Sequence, residues 1–190
     1  VLICRTMARL GYDVKLSETA QSNLSADGIS DAAATQETTE YFDDAATKQD
    51  IIDRTNALRR ENGVSVLTVN GELMQAAQVR ADEMAASGVY SHTRPDGRKY
   101  TTVTDCKYIG ENIHLIGEWQ IRDSSLPSFA VEAWKNSAAH LKNMLNTRYH
   151  AIGVGVSQGT VMGEPYWYCV QLFLLDGYNV TWVDAPAAKG

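Results

Sequence analysis

Two imidazoles and one carboxylate are the groups of this chain with the most chemistry to offer. Histidine occurs four times, at His92, His114, His140 and His150. Its ordinary titration falls near neutrality, and it is the commonest metal ligand. His92 follows a helix stop and precedes the run TRPDGR at 93–98, which turns by Pro and Asp-Gly chemistry. His140 falls inside a helical pattern, on or beside the face that carries Trp134, Ser137 and Leu141. Glu111 sits in Gly110-Glu111-Asn112-Ile113, between elements. If two loops and a helix brought His92, Glu111 and His140 together, they would line a polar, cation-accepting cleft. Zinc takes such ligands and keeps a fourth position open. Spacing alone does not bring them together, and on composition each histidine reads as a surface or hydrogen-bonded structural residue.

Ser137 lies three residues before His140, and on a helix the two share a face. A serine nucleophile needs a base within reach and a third group to orient that base. A helix-interior serine instead tends to bond back to its own turn. Ser137 also lacks the strained strand-to-helix elbow of hydrolase nucleophiles, so support of the cleft is the stronger reading. His114, three residues after Glu111, faces away from it in a strand and reads as exposed. His150, beside Tyr149, reads as a loop or structural residue. Trp119, Trp134, Trp167 and Trp182, with Tyr166 and Tyr168, suit a core and a cleft wall alike. The three cysteines, Cys4, Cys106 and Cys169, form neither a disulfide framework nor a zinc pattern. Pairing of Cys106 with Cys169 stays open.

These residues need elements to position them. The chain has 190 residues, 44% of them hydrophobic and 21% charged, an ordinary globular balance that excludes fibrous and wholly disordered classes. Net charge is −6 and unevenly spread: residues 1–50 hold 4 Lys/Arg against 9 Asp/Glu, and the rest is near neutral. No basic patch points to nucleic acid, and no apolar run approaches the ~20 residues of a membrane helix. The opening Val1 reads as a trimmed or processed start without a signal peptide.

Residues 2–10 have helical spacing and stop at Gly11, and 13–46 are polar and aperiodic. A boundary near 45 therefore divides an N-terminal arm, 1–45, from a domain, 46–190. A helix is expected from a Thr47–Asp50 capping pair to Asn62-Gly63. A second runs from near Asn70 to Gly88, with the stripe Leu73, Ala76, Ala77, Arg80, Ala81 and Met84. A long helix opens at Pro127 and continues to Leu145. Two strands, 152–156 and 166–174, flank a polar, Gly-containing loop at 157–165 and predict an antiparallel hairpin. Helices first and strands last predict an α+β layered fold.

In this order the motifs resemble those of the CAP superfamily: cysteine-rich secretory proteins, antigen 5 and pathogenesis-related 1 proteins. The likeness covers residues 48–176. It is carried by Asn56-x-x-Arg59, Leu73-x-x-Ala76-Ala77-x-x-x-Ala81 and Ser91-His92 followed by Pro95-Asp96-Gly97-Arg98. It continues through Gly110-Glu111-Asn112-Ile113, Trp134-x-x-Ser137-x-x-His140-x-x-Asn143-Met144-Leu145, Gly153-Val154-Gly155 and Tyr166-Trp167-x-x-x-Gln171-x-Phe173. The bacterial SCP-like extracellular form is the better match, because the dense cysteine frame of eukaryotic members is missing.

The resemblance implies a three-layer α-β-α sandwich with a central antiparallel sheet, and a cleft lined by two histidines and two carboxylates. His92 and His140 match the histidines, and Glu111 matches one carboxylate. The second carboxylate position, three residues after the helix tryptophan, holds Ser137. Glu132 is eight residues before His140, ~12 Å along a helix, too far to replace it. In the arm, Leu2–Tyr12 with Ala26-Asp27-x-Ile29-Ser30-Asp31 resembles the tail of a surface-layer homology module, which implies attachment to a cell wall; a helical arm packed on the domain is the alternative.

Three functions follow as expectations. The first is a secreted or cell-surface binding module. Its cleft of His92, Glu111, His140 and Ser137 would hold a small amphipathic ligand or a protein partner, with zinc on His92, His140 and Glu111. The second is a hydrolase of peptide or cell-wall material using zinc-bound or base-activated water, weakened by the missing carboxylate. The third is an envelope domain whose cleft is vestigial.

Overall fold

The computed structural model describes residues 44–183. Most of the expected arm, its surface-layer-like stretch and Cys4 lie outside the described residues.

Helix α1 spans Asp44–Glu61 and begins three residues before the expected Thr47 cap, with Asp44 in the positive first turn. It buries Ile51, Ile52, Thr55, Leu58 and Arg59 and ends at Gly63, whose φ is 68°. After β1, Thr68–Val69, helix α2 spans Gly71–Ser87. Asn70 caps it by accepting the Leu73 N–H, and left-handed Gly88 stops it. Its buried stripe is the expected one, Arg80 included.

Strand β2, Ile109–Gly117, is nine residues long, so Glu111 stands inside a strand rather than between elements. Helix α3, Leu126–Lys135, is capped by Ser125 and carries Pro127 in its first turn. The expected single helix to Leu145 is broken. Asn136 and Ser137 separate α3 from α4, Ala138–Met144, and Ser137 takes an extended conformation at the start of α4. Both residue types favour helix ends over helix interiors, which accounts for the break.

Strands β3, Tyr149–Val161, and β4, Glu164–Leu175, form the expected hairpin. The 157–165 loop, however, is mostly strand, reduced to a turn at Met162-Gly163. Both turn residues have positive φ, 51° and 85°, which is the primed turn that tight hairpins prefer and for which asparagine is the better first residue. Met162 is fully exposed, so Met162→Asn is expected to stabilise the fold by about 0.5–1 kcal/mol. Thermal unfolding checks it. A lower Tm would mean that the methionine side chain packs in solution.

The sheet order is β1-β3-β4-β2. The three long strands are antiparallel, and only the two-residue β1 runs parallel, to β3. Alternation along β4 divides the core in two. Trp167, Cys169 and Phe173 face α1, α3 and α4. Tyr168, Val170, Leu172 and Leu174 face α2. The architecture is therefore an α+β sandwich of three layers.

Cys106 and Cys169 are both free and buried. They belong to cores on opposite faces of the sheet, so a bond between them would have to pass through it. Burial pushes the Cys169 thiol up to about 12.

Gly153 and Gly155 sit where α2 crosses β3. A Cβ on either would overlap the helix backbone, at Leu73 and Met74 or at Ala77 and Gln78. Arg59 is fully buried and, among the described residues, has no carboxylate partner. It donates to the carbonyls of Ser65 (2.7 Å), Met144 (2.6 Å), Asn146 (3.0 Å) and Tyr149 (3.3 Å), tying α1 to the negative end of α4.

Candidate functional site

Strand β2 is an edge of the sheet, and the candidate residues are arranged about that edge. Successive side chains on a strand point to opposite faces. Glu111 therefore faces α2, and Asn112 faces α3 and α4. Gly110, on the Asn112 side, leaves room for the Tyr149 ring, since a Cβ there would overlap its hydroxyl end. Ile113 fills the α2-side core. Each residue of Gly110-Glu111-Asn112-Ile113 thus has a separate physical task.

On the α2 face, the Glu111 side chain is completely buried. One oxygen, Oε1, accepts from Arg80 Nε at 2.9 Å. The other, Oε2, lies 2.6 Å from His92 Nδ1. Arg80 is itself buried and continues to Glu83 Oε2 (2.9 Å) and to the Ser91 carbonyl (2.7 Å). Arg94, 2% exposed, donates from Nε to both oxygens of Glu83 at 3.0 and 3.2 Å. A charged ladder therefore runs Arg94–Glu83–Arg80–Glu111–His92. The His92 side chain is 56% exposed, so its outer edge meets solvent.

On the opposite face runs an uncharged relay. Thr55 Oγ1 accepts from Gln171 Nε2 at 2.8 Å, and Gln171 Oε1 accepts from Asn112 Nδ2 at 3.1 Å. Asn112 Nδ2 also reaches the His140 carbonyl (3.2 Å). Asn143 Nδ2 bonds Asn112 Oδ1 (2.9 Å) and the Glu111 carbonyl (3.2 Å). This relay fixes α4, and with it His140, against the strand. The His140 ring is half-buried, and its Nδ1 is buried without a hydrogen-bond partner. Burial, then the charge of His92, lowers the His140 pKa.

Side chains also occupy the outward carbonyls of β2. Tyr100 Oη donates to Ile109 O (3.1 Å), and Tyr90 Oη and Trp134 Nε1 donate to Ile113 O (3.0 and 3.1 Å). Burial, then the charge of Glu111, raises the pKa of both tyrosines. These three side chains put donors where an edge strand would otherwise offer free carbonyls.

The structure thus joins His92 directly to Glu111 and docks the His140 backbone on the neighbouring Asn112. Ser137 starts α4 and makes no capping hydrogen bond with its side chain. It is therefore not the helix-interior residue expected from the sequence. His114 faces away from Glu111 as expected but is half-buried rather than exposed. It stacks near Phe129 with ring centroids 6.3 Å apart, and burial, then His140, lowers its pKa. His150 lies in β3, with Nδ1 3.9 Å from Asp176.

Glu83, Arg94, Gln171 and Thr55 were given no site role from sequence, nor was Arg80. The available signal was an arginine inside the otherwise apolar stripe of α2. Among the described residues no three His, Cys, Asp or Glu side chains gather as a metal-holding group. Both oxygens of Glu111 already face Arg80 and His92.

Residues 52–173 match the model of the cysteine-rich secretory protein family, CAP, and the chain belongs to that family. An uncharacterized protein of Bacillus subtilis, YkwD, is 29% identical over 124 residues, covering 64% of this chain and 47% of that protein. The chain therefore spans about half the length of that curated relative. The solved structure of an extracellular protein containing a SCP domain from Bacillus anthracis shares the fold. Its TM-score is 0.52 and its identity 23%, over 70% of this chain and 41% of that one. An outer surface protein from Borrelia burgdorferi aligns with a TM-score of 0.53 at 16% identity, over 71% and 97% of the two chains. Among the described residues no helix is long and apolar enough to cross a membrane.

Proposed function

We propose that this chain is the binding module of a secreted or cell-surface bacterial protein, and that its cleft takes a divalent cation, zinc first, on His92 and His140. One observation carries the reading: Glu111 Oε2 is 2.6 Å from Nδ1 of His92, which leaves Nε2 as the ring nitrogen free to face the cleft. A carboxylate behind a ligating histidine is the usual outer-shell arrangement at metal sites. The unpartnered Nδ1 of His140 marks a second imidazole whose polar capacity is unused. Two imidazoles fit a site with its remaining positions open to water or to a donor from a ligand. When bound, the metal would supply Lewis acidity and a charge to hold an anionic or carbonyl headgroup. The surrounding tyrosines and Ser137 would give that ligand hydroxyl and aromatic contacts. A small amphipathic molecule or a segment of a partner protein suits such a wall, and the extracellular and surface neighbours support a location outside the cell.

Hydrolysis of peptide or cell-wall material is the second reading. The same contacts weigh against it, because both oxygens of Glu111 are already engaged, by Arg80 and by His92.

Calorimetric titration of zinc into the full chain and into His92→Ala and His140→Ala tests the proposal. Saturable binding is expected in the wild type and at least about tenfold weaker binding in each variant. Equal affinity in all three would remove the histidines from the site. Time-dependent cleavage of peptidoglycan that vanishes in Glu111→Gln would reverse the ranking of the two readings.

A further inference from the structure

We infer that Arg80, Glu83 and Arg94 are positioning residues for His92: acting through Glu111, they hold its ring as the Nδ1–H tautomer and keep the Nε2 lone pair on the cleft side. The inference deepens the cleft reading and rests on it only for the use made of that lone pair. The state of the ring is measured without metal.

The argument starts from charge. A guanidinium does not lose its proton in a protein and has no acceptor. Arg80 and Arg94 thus place two fixed positive charges in the interior, and Glu83 and Glu111 are the two carboxylates that meet them. A proton on Glu111 would leave the ladder with an uncompensated buried cation, the costly outcome for such a group. An ionised carboxylate only accepts hydrogen bonds. The 2.6 Å contact with Oε2 therefore requires His92 Nδ1 to carry the hydrogen. The free histidine side chain favours the opposite tautomer, with the hydrogen on Nε2, so the protein is working against the intrinsic preference of the ring.

Geometry assigns the individual parts. Arg80 satisfies acceptors in three directions at once: Glu111 through Nε, Glu83 through Nη1 and the Ser91 carbonyl through Nη2. The last of these fixes the residue immediately before His92. Arg94 grips Glu83 and, through Nη1, the carbonyl (2.9 Å) and hydroxyl (3.1 Å) of Thr102. It thereby closes the segment that carries His92, whose own carbonyl accepts from Tyr100 N–H at 3.1 Å. Glu83 is the joint between the two arginines. Within the ladder only Glu111 touches the His92 ring, so the carboxylate contacts of the other three reach the ring through it, while the Ser91 and Thr102 contacts of the two arginines hold the backbone on either side.

The test is the ring nitrogen spectrum of the full chain with 15N-labelled histidine, free of metal, on the alkaline side of ordinary histidine titration. His92 is assigned by its loss in His92→Gln. Wild type is expected to show Nδ1–H in at least about tenfold excess, the scale of one hydrogen bond to a charged group. Arg80→Lys keeps the charge, but a single ammonium cannot serve three divergent acceptors; the excess should fall by about tenfold. Arg94→Lys, one step further out, should lower it less, and Arg54→Lys on the exposed face of α1 should leave it unchanged.

A wild-type ring dominated by Nε2–H overturns the inference outright, whatever the variants do. An unchanged ratio in folded Arg80→Lys, with only Tm lowered, reduces the ladder to a structural role and overturns it equally. An unchanged ratio in folded Arg94→Lys removes the part that runs through Glu83. Should either variant fail to fold, the other and the wild-type spectrum decide. A Nδ1–H ring in a protein that takes up no zinc would leave this inference standing and discard the cation reading alone.

Discussion

Gly155→Ala is expected to cost about 3 kcal/mol or more, the upper range for overpacking a close contact. The reason is what the added methyl group would meet. Most overpacked side chains press on other side chains, which can rotate away. At Gly155 the new Cβ would overlap the backbone carbonyl of Ala77 and the next amide, so relief requires lifting α2 off the sheet. That helix carries Leu73, Ala77, Ala81 and Met84 of the core on its face, and Arg80 with them. At 2–4 °C per kcal/mol for a chain of this size, Tm should fall by about 6–12 °C. Gly71→Ala is the matched control. It opens the same helix, a Cβ there meets nothing within 4 Å, and the change should be neutral or slightly stabilising. A Gly155→Ala protein that melts with the wild type would show that α2 and β3 are not in direct backbone contact.

Arg80→Met should be comparably severe, for an electrostatic reason. The methionine nearly fills the volume but leaves Glu111, with a fully buried side chain, and Glu83, 14% exposed, facing each other's charge. Removing one partner of a buried ionic group costs about 3–5 kcal/mol because the remaining charge stays in the interior. Arg54→Met is the comparison. Arg54 pairs with Asp50 on an exposed helix face, and such changes fall within about 0.5 kcal/mol. Urea unfolding of the two variants checks both. A loss under about 1 kcal/mol at position 80 would mean that water reaches Glu111 and screens it.

The elements were legible wherever local chemistry and pattern agreed. Asn70 and Gly88 bound α2 because one residue has a side-chain acceptor for an orphan amide and the other tolerates positive φ. The apolar runs of β3 and β4 named the hairpin. Three features were not legible. The break at Asn136-Ser137 interrupts an apolar stripe that continues on both sides, so periodicity reads straight through it. The strand character of 109–117 was masked by Gly110, Glu111 and Asn112, polar or small residues that owe their burial to distant partners. The ladder was hidden for the same reason. Arg80 and Glu111 are 31 positions apart, and nothing local announces that they meet. The motif order, by contrast, carried the family, since a fold constrains which segments follow one another even when their contacts cannot be foreseen.

The alternation of Glu111 and Asn112 has an evolutionary corollary. Deleting or inserting one residue in β2 would present an amide to the two arginines and drop an acid into the neutral relay from Thr55. Both imidazoles would lose their support in a single step. Length variation among descendants of this gene should therefore accumulate in the segments before Ile109 and after Gly117, and the nine positions between them should tolerate substitutions but not gaps.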